Sequence, residues 1–194
     1  MTYITKLVLV YFLAHVSGCA TIIGGFSKEP IETNPRKRSW GNWMDDQTIE
    51  TIATVNIQKT DPSFKNSRVK AISFNGTLLL IGQVPTAPMK AIASETAKTI
   101  YHVKQVYNEL DVSPIITFLT QSNDSLLTIQ VKAGFISSSD VIADRIEVNT
   151  ENSTVYLMGL VTIEEAQAAV DIARNVHGVK KVVKVFEYPQ TNSN

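Results

Sequence analysis

From residue 46 onward the apolar positions follow two periods in a fixed order, and the order occurs twice. Ile49 and Ile52 open a helical period over residues 46–58, and Leu126, Ile129, Ala133 and Ile136 do the same over residues 123–136. A hairpin follows each helix. In the first copy Val69, Ala71 and Leu78-Leu79-Leu80-Ile81 flank Asn75-Gly76, a pair that favours a tight primed turn. In the second, Ile146, Val148 and Val155-Tyr156-Leu157-Met158 flank Glu151-Asn152-Ser153. The next helix is plainest at Thr162-Ile163-Glu164-Glu165, a capping box. Ala166, Ala169, Val170, Ala173 and Val176 supply its buried stripe, and Gly178 closes it. A final strand covers residues 103–112 or 179–188, so the pattern predicts α-β-β-α-β, twice.

The copies align at a nearly constant spacing. Leu78-Leu79-Leu80-Ile81-Gly82 matches Val155-Tyr156-Leu157-Met158-Gly159, 77 residues later. The same spacing pairs Ile49 with Leu126, Ile52 with Ile129, Val69 with Ile146 and Asn75 with Asn152. One residue then drops out, so Ile100 and Val103 match Val176 and Val179. The fold class is α+β in two tandem domains, each of about 65 residues with a small core.

The copies differ on one helix face. Leu127, Val131 and Phe135 recur at i, i+4 and i+8, almost opposite the stripe Leu126, Ile129, Ala133, Ile136. At a spacing of 77 the first copy has Glu50, Thr54 and Gln58 there. With Leu126 and its companions read as the core stripe, Leu127, Val131 and Phe135 form an outward apolar face that needs a cover. Three covers are open: lipid, a protein partner, or intramolecular packing on either the first domain or the apolar linker Ile115-Ile116-Thr117-Phe118-Leu119.

Ahead of the repeats, Lys6 precedes an apolar run from Leu7 to Val16. About ten residues are too few to span a bilayer, which takes roughly 20, but they suit a signal-peptide core. The run ends Val16-Ser17-Gly18-Cys19, which resembles a bacterial lipobox: diacylglycerol goes to the Cys19 thiol and the chain is cut after Gly18. Residue 20 is Ala rather than Asp, which points to the outer membrane. The division expected is signal 1–18, lipidated tether 19–44, first domain 45–112, linker 113–122, second domain 123–188 and tail 189–194. The tether carries Gly24-Gly25, Pro30, Pro35, Arg36-Lys37-Arg38, Trp40 and Trp43; these basic and Trp residues either touch headgroups or stay solvated and docked on the first domain.

Composition narrows the function. The balance of 18 basic and 18 acidic side chains argues against a dedicated nucleic-acid binder. One cysteine excludes an internal disulfide, and three histidines give little for a metal site. His15 leaves with the signal, while His102 and His177 sit near helix ends. Arg174, Lys180, Lys181 and Lys184 read as solvated faces, with headgroup contact as the alternative. Phosphate-loop, His-Glu-x-x-His and Gly-x-Ser-x-Gly patterns are missing, and Glu164-Glu165 is explained by capping; no catalytic residue, metal or cofactor is expected.

The doubled unit resembles the BON domain: a glycine follows the second strand and a helix ends near Gly178-Val179-Lys180-Lys181-Val182. Local matches are Asp45-Asp46, Val106-Tyr107-Asn108-Glu109, Ser122-Asn123-Asp124, Thr150-Glu151-Asn152 and Leu157-Met158-Gly159-Leu160-Val161-Thr162. Lipobox, tether and two such units together resemble the dual-BON outer-membrane lipoproteins. The resemblance implies a three-stranded mixed sheet with two helices per domain, a lipid anchor facing the periplasm, and a role in envelope integrity. It also implies binding of anionic phospholipid through the first helix of the second domain, expected at Leu126, Leu127, Gln130, Val131, Lys132, Gly134 and Phe135. Members of the family carry an aromatic residue and a lysine where Leu126 and Gln130 stand, which leaves Lys132 as the cation of this helix. The alternative is docking on outer-membrane assembly factors through the same helix.

Overall fold

Each hairpin turns where the sequence places it. Asn75 and Gly76 have φ of 52° and 81°, and Asn152 and Ser153 have 49° and 63°, the left-handed pair that a primed turn demands. The structure, a computed structural model, describes residues 39–189. The signal segment, Cys19, the Arg36-Lys37-Arg38 cluster and residues 190–194 lie outside the described residues.

The first copy runs α1 (Trp40–Thr60), a 3-10 turn (Pro62–Asn66), β1 (Arg68–Phe74), β2 (Thr77–Val84), α2 (Ala87–Lys98), β3 (Gln105–Asn108) and a short β4 (Asp111–Val112). The second runs α3 (Phe118–Ile136), a 3-10 turn (Ala143–Arg145), β5 (Ile146–Glu151), β6 (Thr154–Leu160), α4 (Ile163–Asn175) and β7 (Lys181–Glu187). In each sheet the central strand pairs antiparallel with its hairpin partner and parallel with the strand after the second helix: β1-β2-β3 with β4 extending the parallel edge, and β5-β6-β7. Val69 faces Gly82, and Ile146 faces Gly159. A Cβ on Gly82 would lie 1.9 Å from the Arg68 carbonyl oxygen, and one on Gly159 would lie 2.4 Å from that of Arg145. Both glycines therefore permit an approach of backbone to backbone that no side chain allows.

Two helix starts differ from the expectation. Ser39 accepts a hydrogen bond from the Asn42 N–H and starts α1 at Trp40, and Thr117 accepts one from the Thr120 N–H and starts α3 at Phe118. Residues 40–44, read as tether, and 118–122, read as linker, are thus helical. The third strand of the first copy is shorter than residues 103–112 and is interrupted: the Glu109 N–H reaches the Leu80 carbonyl between β3 and β4. The capping box at Thr162 and Glu165 forms in full.

The long apolar run of β2 is explained by cover on both faces. Leu78 and Leu80 pack beneath α1 and α2 with Ile49, Ala53, Ile57 and Ala93, while Leu79 and Ile81 point the other way. There they meet Ile72 and Phe74 of their own sheet and Tyr156, Met158 and Val185 of the second. The two sheets thus lie back to back, with α1 and α2 outside one and α3 and α4 outside the other. Alternation along each strand feeds one apolar set to the helices and the other to the neighbouring sheet.

Two carboxylates of the second copy tie this contact at its ends. Glu151, buried, pairs with Arg68, lies 3.3 Å from the Lys70 ammonium and accepts a 3.0 Å bond from Gln83 Nε2. Glu187 accepts from Asn75 Nδ2 at 2.9 Å and from Thr77 Oγ1 at 2.6 Å. All described elements lie within one compact unit.

Candidate functional site

The site is built on α3, and its orientation is set by Asp124. This buried carboxylate accepts the backbone N–H groups of Asn152 and Ser153, both at 2.8 Å, and so fixes the helix to the β5–β6 turn. Asp46 does the same in the first copy, accepting from Asn75 N at 2.8 Å and Gly76 N at 2.9 Å. The turn residues are 77 positions apart, but the two aspartates are 78 apart. One residue fewer separates helix from hairpin in the second copy, so the spacing of 77 turns α3 by one residue, about 100°.

With that correction Ile49, Ala53 and Ile57 correspond to Leu127, Val131 and Phe135, and all six are buried. Leu127, Val131 and Phe135 are therefore the core stripe of α3 and not its outward face; Val131 and Phe135 pack on Val148, Val155 and Leu157. Leu126, Ile129 and Ile136 were expected inside and are instead 58%, 63% and 76% exposed. Ile52, paired with Ile129 in the uncorrected alignment, is likewise exposed. The sequence carried two opposed apolar stripes, and packing reverses which is which.

An outward apolar face remains, made of other residues. At 100° per residue Phe118, Leu119, Leu126, Ile129, Ala133 and Ile136 fall within an arc of about 100° centred opposite the core, and all are exposed. The corresponding positions on α1 at a spacing of 78 are Trp40, Gly41, Thr48, Thr51, Val55 and Gln58, so the face is less apolar there than on α3. Among the described residues nothing covers this face, because the two domains meet through their sheets. Leu127, Val131 and Phe135 are covered by their own domain, which corrects the expectation that they face lipid, a partner, the first domain or the linker.

The other expected site residues separate. Gln130 is exposed at one margin of the face. Lys132 is exposed on the opposite flank, 3.8 Å from Glu147. Gly134 turns toward α4: a Cβ there would lie 2.7 Å from Ile172 Cγ2, so the glycine serves close helix packing rather than the outer face. Phe118 and Leu119 were placed in the linker; the signal that could have found them is Thr117, a capping residue just before that apolar pair. Among the described residues no group of three or more His, Cys, Asp or Glu is arranged to hold a metal ion.

The BON domain model matches residues 45–114 and again 123–190. The chain belongs to the BON-domain family. It is 43% identical over 175 residues to the outer membrane lipoprotein DolP of Haemophilus influenzae, covering 89% of this chain and 90% of that one. It is 36% identical over 153 residues to a 21 kDa hemolysin of Actinobacillus pleuropneumoniae, covering 79% of each. The C-terminal domain of CdsD, a structural protein of the type III secretion system of Chlamydia trachomatis, overlaps 68% of this chain and 94% of that one. With 14% identity and a TM-score of 0.29, that likeness carries no argument. The relationship to DolP makes this BON-domain protein an outer-membrane lipoprotein, lipid-anchored on the periplasmic side. No described helix is long and apolar enough to cross a membrane.

Proposed function

We propose that this BON-domain lipoprotein, anchored through acylated Cys19, binds anionic phospholipid with the outer face of α3 and in this way supports envelope integrity. The observation that carries the reading is the uncovered apolar arc of Phe118, Leu119, Leu126, Ile129, Ala133 and Ile136, whose large side chains are more exposed than Met44, Ile52 and Val55 on α1. A helix with one apolar face in the core and another in water is stabilised by laying the second face into the headgroup boundary of a bilayer. Leu126, Ile129 and Ile136 together expose the equivalent of about two whole side chains. Full burial of each is worth ~1.5–3 kcal/mol, so their insertion contributes about 3–6 kcal/mol, or at least a hundredfold in affinity.

The test uses the anchor-free chain 39–194, which retains Ser39 and every described element. It binds vesicles containing anionic phospholipid, and Leu126→Ser with Ile129→Ser and Ile136→Ser weakens binding at least a hundredfold without lowering the melting temperature. Unchanged vesicle binding by the folded triple variant removes α3 as the lipid site. If the parent chain binds no vesicles, docking of a protein partner on the same face takes the lead.

A further inference from the structure

The lipid reading leaves the source of charge selectivity open, since Lys132 is the only cation within α3 and it sits beside Glu147. The two flanks of the apolar face are not alike. On the α4 side, where the helices close at Gly134 and Ile172, a groove is lined by Asp140, Glu164, Glu165 and Asp171 with no lysine or arginine. Of these acids Glu165 is paired with Arg145 at 3.0 Å. This flank repels an anionic surface.

The first-domain flank differs in presenting cations. A cavity of about 280 Å³ runs there between β1 and α3, with Arg68 and Lys70 on one side and Gln121, Ser125, Thr128 and Ile129 on the other. Ile129 belongs both to this cavity and to the apolar face, so the cavity borders the surface that meets the bilayer. Arg68 and Lys70 share one buried carboxylate, Glu151, whose Oε1 is taken by Arg68 and Gln83. Two cations face two acids, Glu151 and Asp124, so the formal charges balance, but both acids are buried and Lys70 is the most exposed of the four groups. Both Asp124 oxygens are bonded to the β5–β6 turn, so this acid is held in place and makes no ion pair with Lys70.

Resting on the lipid reading above, we propose that Lys70, backed by Arg68, contacts the phosphate of an anionic phospholipid headgroup when α3 enters the interface. The second domain then supplies insertion and the first supplies charge. A lysine suits the place: its apolar stem runs along the domain wall while the ammonium, with three donors, reaches phosphate as a point charge. The back-to-back sheets hold the two contributions in register.

Vesicles of phosphatidylcholine with and without phosphatidylglycerol separate the parts. In the chain 39–194, Lys70→Gln lowers affinity for the phosphatidylglycerol vesicles about fivefold, as loss of one basic residue at such a surface does. It leaves the weaker affinity for pure phosphatidylcholine unchanged, and Lys70→Arg restores the parent value. Arg68 and Gln83 still hold Glu151 in these variants, so the domain contact survives. Parent-like binding of Lys70→Gln to the anionic vesicles, or an equal loss on both vesicle types, overturns the assignment while leaving α3 as the insertion site. Failure of the parent chain to bind either vesicle overturns the lipid reading and this inference with it.

Discussion

Phe135 and Ile136 are neighbours on α3 with opposite fates, and replacing each by alanine separates the two faces of the helix. Phe135 is buried in the core of the second domain with Val131, Val141 and Val155, whereas three quarters of Ile136 is in water. Truncating a fully buried phenylalanine costs about 3–5 kcal/mol, the lost transfer energy together with the cavity left behind. For a urea dependence of about 2 kcal/mol per molar, that moves the unfolding midpoint down by roughly 2 M. Ile136→Ala removes little buried surface and places a better helix former in the last turn, so its effect stays within about 0.5 kcal/mol. Vesicle binding ranks the pair the other way: Ile136→Ala loses most of one inserted side chain, about tenfold in affinity. Urea unfolding followed by circular dichroism, with vesicle flotation on the same preparations, reads both quantities. A midpoint shift as large for Ile136→Ala as for Phe135→Ala refutes the assignment of the two stripes.

The remaining predictions concern the contact between the domains and the hairpins. Burial, aided by the nearby Glu109, Asp111 and Glu151 carboxylates, pushes the Tyr156 phenol well above its ordinary value of 10. The unfolded chain releases this proton first, so the stabilisation is complete below about pH 10 and is lost as pH rises beyond it; Tyr156→Phe flattens the alkaline limb of a melting-temperature profile. Gly82→Ala, with φ of 120° and no room beside the Arg68 carbonyl, costs more than about 3 kcal/mol and is read as a loss of soluble folded protein.

Much of the fold is legible because its signals are local. The Asn75-Gly76 and Asn152-Ser153 turns need left-handed backbone, and those residues accept it. Thr162 and Glu165 satisfy each other's backbone within one helical turn. The repeat exposes the order of elements, and each copy keeps it. The starts of α1 and α3 were missed since the caps Ser39 and Thr117 lie well ahead of Ile49 and Leu126, the first residues of the periods read from the sequence.

The outward face of α3 was legible only as a pair of alternatives. Hydrophobic period fixes the angle between two stripes on a helix, but which stripe is inside depends on what the helix packs against. On α3 both stripes are apolar, and the missing residue between helix and hairpin turned the comparison with α1 by one position. The deciding contacts are made by Asp124, which reaches residues 28 positions away on the β5–β6 turn. β2 has the same ambiguity in another form: four successive apolar residues announce that both faces are covered, without naming the cover. That the second cover is the other domain's sheet, leaving α3 uncovered and Lys70 beside it, follows from long-range packing of β1, β2, β6 and β7. The sequence by itself determined the elements, their order and the existence of an apolar face beyond what the core needs. The tertiary structure decided which side chains form that face, because burial depends on contacts between distant parts of the chain.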